Sequence, residues 1–197
     1  MKTVAIIQAR MSSSRLPNKV LIKVGKMLVL ERIVKRLSVC LRLDGIVVAT
    51  SNTPSDDPIA QWCADQEIHC FRGSLNDVLD RYYQAAIESN AETVVRITGD
   101  CPLIDPFVVD EVIRQFHEGN FDSVGLHGKF PDGLDCQVFD IDAIRLAWRE
   151  ASSVTDREHV GSYMENTRPD LFSLGKVELF QDLDHHRWTL DCLLYTS

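Results

Sequence analysis

The chain reads as an α/β protein built on a mainly parallel sheet with helices on both faces. Three observations predict this. Short continuous apolar runs, such as 4–7 and "IVVAT" at 46–50, read as strands buried on both sides. Stretches with apolar residues at helical spacing alternate with those runs as far as residue 118. The longer strand exits are polar and functional in composition, as they are where ligands bind outside the carboxyl ends of parallel strands.

Residues 4–8 form the expected first strand, and 9–26 a long loop containing Pro17 and Gly25. Met27, Leu30, Ile33, Val34, Leu37 and Leu41 predict a helix over 27–42. After the strand at 46–50, "SNTPSDDP" is a capped turn into a helix carrying Ile59, Trp62 and Cys63, with Pro58 near its first turn. A short strand at 68–71 precedes a helix at 76–89, where Ser74 or Asn76 is a candidate cap. "TVVRI" at 93–97 is the next strand, and 106–118 the next helix. Beyond residue 120, "FDSVG", "CQVFD" and "LFSLGKVEL" read as strands, with helices near 140–151 and 155–167. The expected organisation is a single domain over 1–191, in which 120–185 closes the substrate side of the cleft.

Bulk properties exclude several classes. The 197 residues carry a net charge of −8, which argues against a nucleic-acid binder. No apolar run reaches the roughly 18 residues of a membrane helix, and the N-terminus lacks a signal-peptide pattern. A cytoplasmic protein with no membrane partner is the expectation. The six cysteines form no CxxC pair, so reduced and mostly buried thiols are expected rather than zinc ligands. Charge is uneven. Residues 1–50 hold ten Lys/Arg against Glu31 and Asp44, a local +8, and the remainder carries −16. Lys35, Arg36 and Arg42 are expected to pair with acidic neighbours. Arg10, Arg15 and Lys19 precede the first helix and point instead to a local anion site.

These three cations lie in "QARMSSSRLPNK" at 8–19. Arg binds phosphate oxygens through a planar fork, Lys as a point charge, and serines with loop amides add donors. Neither GxxxxGK[ST] nor GxGxxG is present, so the stretch alone is consistent with an anion loop or a solvated one. In "RITGDCPLIDP" at 96–106, Asp100 follows a strand and either holds a divalent ion against phosphates or caps a turn before Pro102. Arg72, in "FRGSLNDVLDRYY", is a further site candidate after a strand. In "FPDGLDCQVF", Asp132 and Asp135 are placed to bond sugar hydroxyls, or Asp132 simply stabilises the Pro-Asp-Gly turn. His159, in "DREHV", is either a satisfied structural histidine or part of the site.

Taken together, "IIQARMSSSRLPNKVL", "IVVATS", "FRGSLNDVLDRYYQAA", "VVRITGDCPLIDP", "PDGLD", "REHV" and "RWTLD" resemble the spore coat polysaccharide biosynthesis branch of the cytidylyltransferase family. That family includes the CMP-sialic acid and CMP-Kdo synthetases. The resemblance spans about residues 1–191, and its specificity lies in the order and spacing of several motifs. It implies a Rossmann-like, nucleotide-diphospho-sugar transferase-like fold and a homodimer, with 120–185 as the dimer region. It implies a Mg²⁺-dependent enzyme that takes CTP and a sugar-type acceptor in surface polysaccharide biosynthesis and releases pyrophosphate.

The implied nucleotide contacts are Gln8, Ala9, Arg10, Ser12, Arg15, Lys19, Ser51, Arg72 and Asp100, of which Arg10, Lys19 and Asp100 carry the catalysis. Asp132, Asp135, Gln137 and His159 fall on the acceptor side. Asp100 and Asp191 are the implied metal carboxylates. Two features depart from the family pattern. Asp191 is followed by "CLLYTS", an anomalous tail at 192–197 that reads as a truncation, and Asn18 stands where the family carries glycine. Asn tolerates positive φ better than most residues, so the loop is expected to keep its shape. Another nucleoside triphosphate with a sugar-1-phosphate, and a non-catalytic nucleotide- or sugar-binding module, remain as alternatives.

Overall fold

The computed structural model describes residues 1–13 and 15–190. β1 (Thr3–Gln8) leads through the long connection to a small hairpin, β2 (Lys23–Val24) and β3 (Met27–Leu28), and then to α1 (Val29–Leu37). β4 (Gly45–Ser51), α2 (Asp57–Asp65), β5 (His69–Gly73) and α3 (Val78–Glu88) follow. β6 (Thr93–Thr98), α4 (Pro106–Glu118), β7 (Ser123–His127), β8 (Gln137–Asp140) and α5 (Ile141–Glu150) come next. The last named elements are α6 (Val154–Glu158) and β9 (Leu174–Glu178).

Seven strands form one sheet in the order β5-β4-β1-β6-β8-β7-β9, and β8 alone runs against the rest. The chain steps outward from β1 to β4 and β5, then returns to place β6 on the other flank of β1. That reversal opens a crevice beyond the carboxyl ends of β1 and β6, where Gln8 and Thr98 are paired neighbours. Helices cover both faces, as the alternation of runs predicts. Ala5 and Ile7 pack towards α1, α2 and α4, whereas Val4 and Ile6 pack towards α3 and α5. Tyr82 is wholly buried on the second face, and its hydroxyl donates to the carbonyls of Ile6 (3.1 Å) and Ile97 (3.3 Å). Tyr82→Phe is expected to lower stability by about 1 kcal/mol, read as a lower urea midpoint with an unchanged slope.

Several boundaries differ from the sequence reading, each for a local reason. The helix expected over 27–42 spans only Val29–Leu37. Its start is delayed because Gly25, at φ 67°, turns the hairpin that places Met27 and Leu28 in β3. Its end comes early because the amides of Leu41 and Arg42 turn out to the Asp110 carboxylate of α4, leaving Leu41 exposed. Among the three cations expected to pair there, Lys35 meets Glu31 and Arg36 reaches Asp105.

The strand expected at 68–71 is displaced to His69–Gly73, so Arg72 and Gly73 are strand residues paired with Thr50 and Ser51 rather than loop residues. Neither Ser74 nor Asn76 caps α3. Asp77 does, accepting from the Asp80 amide, while the Ser74 hydroxyl oxygen accepts from the Asp77 amide. The helix expected over 155–167 breaks at His159, which leaves helical geometry. Its two pieces, α6 and a wide turn at Tyr163–Thr167, are tied together by the buried Asp156 carboxylate, which accepts from Ser153, Ser162 and Thr167 hydroxyls. By contrast, 106–118 is helical as expected, capped by Asp105 with Pro106 at its first position.

The five described cysteines are free thiols, and three of them are buried. Burial raises the Cys40 pKa to about 12 and pushes Cys101 and Cys136 higher still. Cys192 lies outside the described residues.

Candidate active site

Two strand exits build the site. Gln8, Ala9 and Arg10 leave β1, and Gly99 and Asp100 leave β6. The Gly99 amide donates to the Gln8 carbonyl at 2.8 Å. A Cβ at Gly99 would lie 2.8 Å from that oxygen and 3.1 Å from Val20, so only glycine lets the exits approach this closely.

The connection after Arg10 is shaped, not loose. The Met11 carbonyl accepts from Ser13 and Asn18, and the Ser13 hydroxyl oxygen accepts from the Leu16 amide. Leu16 is buried as the anchor of the turn. Asn18 takes φ 62°, the left-handed conformation expected of a residue standing in for glycine. The next residue, Lys19, opens a 3₁₀ turn, Lys19–Leu21, and its ammonium donates to Asp100 Oδ2 at 2.6 Å.

A cleft of about 560 Å³ lies over this junction, with Gln8, Arg10, Ser13, Arg15, Lys19 and Asp100 on its walls. Burial pushes the Asp100 carboxyl up, but the hydrogen bond and charge of Lys19 outweigh it, so its pKa stays below the ordinary value. Two buried polar atoms here meet no hydrogen-bond partner among the described residues, Gln8 Oε1 and Arg96 Nε. Such atoms are costly unless a ligand or water completes them.

Arg96 borders this cleft, a second cavity of about 530 Å³, and a third between β8 and the α6 region. Sequence motifs alone assign Arg96 no role. The available signal was a guanidinium inside the apolar run "TVVRI". Asp135 and Gln137 line the second cavity, and Gln137 also donates to Glu165. His159 sits where the first cleft meets the third.

Other candidates are held elsewhere. Ala9 is buried and its amide donates to the Ala49 carbonyl. Ser12 is exposed outside the cleft wall. The Ser51 hydroxyl is buried against Asp56 and Thr53. Arg72 donates to the Ser51 and Thr53 carbonyls and pairs with Asp57 at 2.7 Å, which fixes the exit of β4. Asp132 pairs with Arg187 at 3.1 Å in a short bridge between the Pro-Asp-Gly turn and "RWTLD". Gly133 is required there, because a Cβ would lie 2.8 Å from the Trp188 backbone and its φ is 108°.

For a divalent metal, Asp100 is the carboxylate that pairs with Lys19 on the cleft wall, and Glu158 borders the same cleft. No group of three His, Cys, Asp or Glu side chains assembles among the described residues. A lean site of this kind fits Mg²⁺, which binds one or two carboxylates and takes its other ligands from water and phosphate. The Leu190 amide donates to the Asp100 carbonyl at 2.8 Å, so the described chain runs up to this point. Asp191 itself lies outside the described residues.

Comparison with known proteins identifies the family and the fold. A family model described as cytidylyltransferase matches residues 4–185. The chain is 40% identical over 178 residues to the protein MJ1063 of Methanocaldococcus jannaschii, covering 90% of this chain and 72% of that one. It is 33% identical over 179 residues to the spore coat polysaccharide biosynthesis protein SpsF of Bacillus subtilis, covering 88% of this chain and 73% of the relative. A solved cytidylyltransferase from Leptospira borgpetersenii superposes with a TM-score of 0.91 at 31% identity, over 98% of this chain and 82% of its own.

Proposed function

Because the chain belongs to the cytidylyltransferase family, we propose that it transfers a cytidylyl group from CTP to a sugar-type acceptor and releases pyrophosphate. The observation that carries this reading is the cleft in which Arg10, Arg15 and Lys19 face Asp100 across the exits of β1 and β6. An acceptor oxygen attacks the α-phosphorus, and the bond from that phosphorus to the β-phosphate bridging oxygen breaks. Such a transfer needs positioning and charge neutralisation more than a nucleophilic side chain. Arg10, Arg15 and Lys19 neutralise the triphosphate and then the departing pyrophosphate. Gln8 and the loop at Ala9 hold the nucleoside end, Ser12 lends that loop its shape and donors, and Ser51 and Arg72 act through the β4 exit that they fix. Asp100 and Asp191 would hold Mg²⁺, which supplies charge neutralisation at the α-phosphate.

The acceptor side is formed by Asp135, Gln137 and His159, with Asp132 behind the turn that carries Asp135. Arg96, which joins the cavities and has an unpartnered Nε, favours an acceptor bearing negative charge. A role in surface-polysaccharide assembly is part of the proposal, supported by the name of the Bacillus subtilis relative. A cytoplasmic homodimer is likewise part of it, resting on the family resemblance. No helix among the described residues is long and apolar enough to cross a membrane.

A panel of four nucleoside triphosphates against neutral and acidic sugar acceptors tests the reading by Mg²⁺-dependent pyrophosphate release. Release with CTP and an acidic sugar is expected. Release only with another nucleotide and a sugar-1-phosphate would replace the donor. Nucleotide binding without any turnover would make the chain a binding module.

A further inference from the structure

Asp56 is a wholly buried carboxylate with no ion pair among the described residues. It ends the 3₁₀ turn Pro54–Asp56 and precedes α2. Its hydrogen-bond partners among the described residues are neutral donors. Oδ1 accepts the Met11 amide at 2.8 Å. Oδ2 accepts the Ser51 amide at 3.1 Å, the Ser51 hydroxyl at 2.5 Å and the Thr50 hydroxyl at 3.1 Å.

The Met11 bond links two loops that are 45 residues apart in sequence. Met11 follows Arg10 directly, and its carbonyl closes the turn onto Ser13 and Asn18. The peptide units on both sides of the Met11 α-carbon are therefore fixed, one by Asp56 and one by the turn. A buried carboxyl group is expensive to bury unless its hydrogen-bond donors are in place.

We propose that Asp56 is a positioning residue for the nucleotide site. It presets the loop that carries Arg10, Arg15 and Lys19 and so raises nucleotide affinity without touching the nucleotide. This rests on the CTP reading above. Each carboxylate oxygen accepts a backbone N–H, which cannot turn away as a hydroxyl can. In Asp56→Asn, either orientation of the amide sets an NH₂ group against a backbone N–H.

The expected result for D56N is a rise in KM for CTP of about tenfold, the scale of one lost hydrogen bond to a charged group, with kcat within about threefold of wild type. Thr50→Val removes a donor from the oxygen that does not hold Met11, and is expected to leave KM unchanged. Hydrogen exchange on the wild-type protein gives a readout that needs no variant: the Met11 amide is expected to exchange at least about tenfold more slowly than an unstructured amide. An unchanged KM in D56N, an equal KM rise in T50V, or a freely exchanging Met11 amide would overturn the proposal. If the wild-type protein turns over no CTP, the functional reading falls, whereas Met11 exchange still decides whether Asp56 holds the loop.

Discussion

Asp100→Asn is expected to lower CTP-dependent pyrophosphate release roughly 100- to 1,000-fold, with CTP affinity changed less than about tenfold. The substitution removes the negative charge opposite the β1 cations while preserving side-chain shape. Lys19, Arg10 and Arg15 remain to bind triphosphate, so the loss falls on turnover and not on binding. The stability effect has a definite sign. The folded Asp100 pKa lies below its ordinary 3.8, so the Lys19 pair contributes above the carboxylate range and its contribution disappears as pH falls through the folded pKa. Wild type is therefore expected to be more stable than D100N at pH 7 by about 1 kcal/mol, read as a higher thermal midpoint. They should converge in strongly acidic buffer. Turnover of D100N within threefold of wild type would remove Asp100 from the catalytic role.

Gly99→Ala is expected to cost about 1–3 kcal/mol of stability and, for a chain of this length, roughly 3–10 °C in Tm. The new methyl would stand 2.8 Å from the Gln8 carbonyl oxygen, the same atom that accepts the Gly99 amide. Backbone, not a flexible side chain, must move to admit it. Separating the two exits displaces Arg10 and Asp100 relative to each other, and misplacement of that order is expected to lower kcat/KM by about 10- to 100-fold. Circular dichroism melts with pyrophosphate release on the same preparation check both effects. A G99A protein with wild-type Tm would show that the β1 and β6 exits are not rigidly joined.

Much of the site is legible in the sequence because it depends on short range. The basic run after β1 and the lone Asp100 after β6 follow strands whose apolar continuity is plain, and loops at parallel-strand ends share one edge. Positive φ at Asn18 follows from local residue chemistry in the same way. Arg96 is harder to read, because a charged residue in a strand has no periodic signature. Only the packed fold shows that it borders three cavities and that its Nε meets no hydrogen-bond partner among the described residues. Ser51 and Arg72 illustrate the opposite limit. Their positions after apolar runs look like site positions, yet their donors are taken up by the β4 exit itself. The boundary at Leu41 is of the same kind, since Asp110, 69 residues away, captures its amide.

The sequence by itself determined the alternation of strands and helices, the anion loop, its opposing carboxylate and the family they identify. These are properties of period, turn chemistry and motif order, each decided within a few residues. The tertiary structure decided the reversal of strand order at β1 and β6, the junction of cavities at Arg96, and the bond from Asp56 to Met11. The reason is physical. A buried carboxylate or guanidinium is satisfied by whichever donors and acceptors the packed backbone brings to it, and those come from chain segments whose proximity exists only once the sheet has formed.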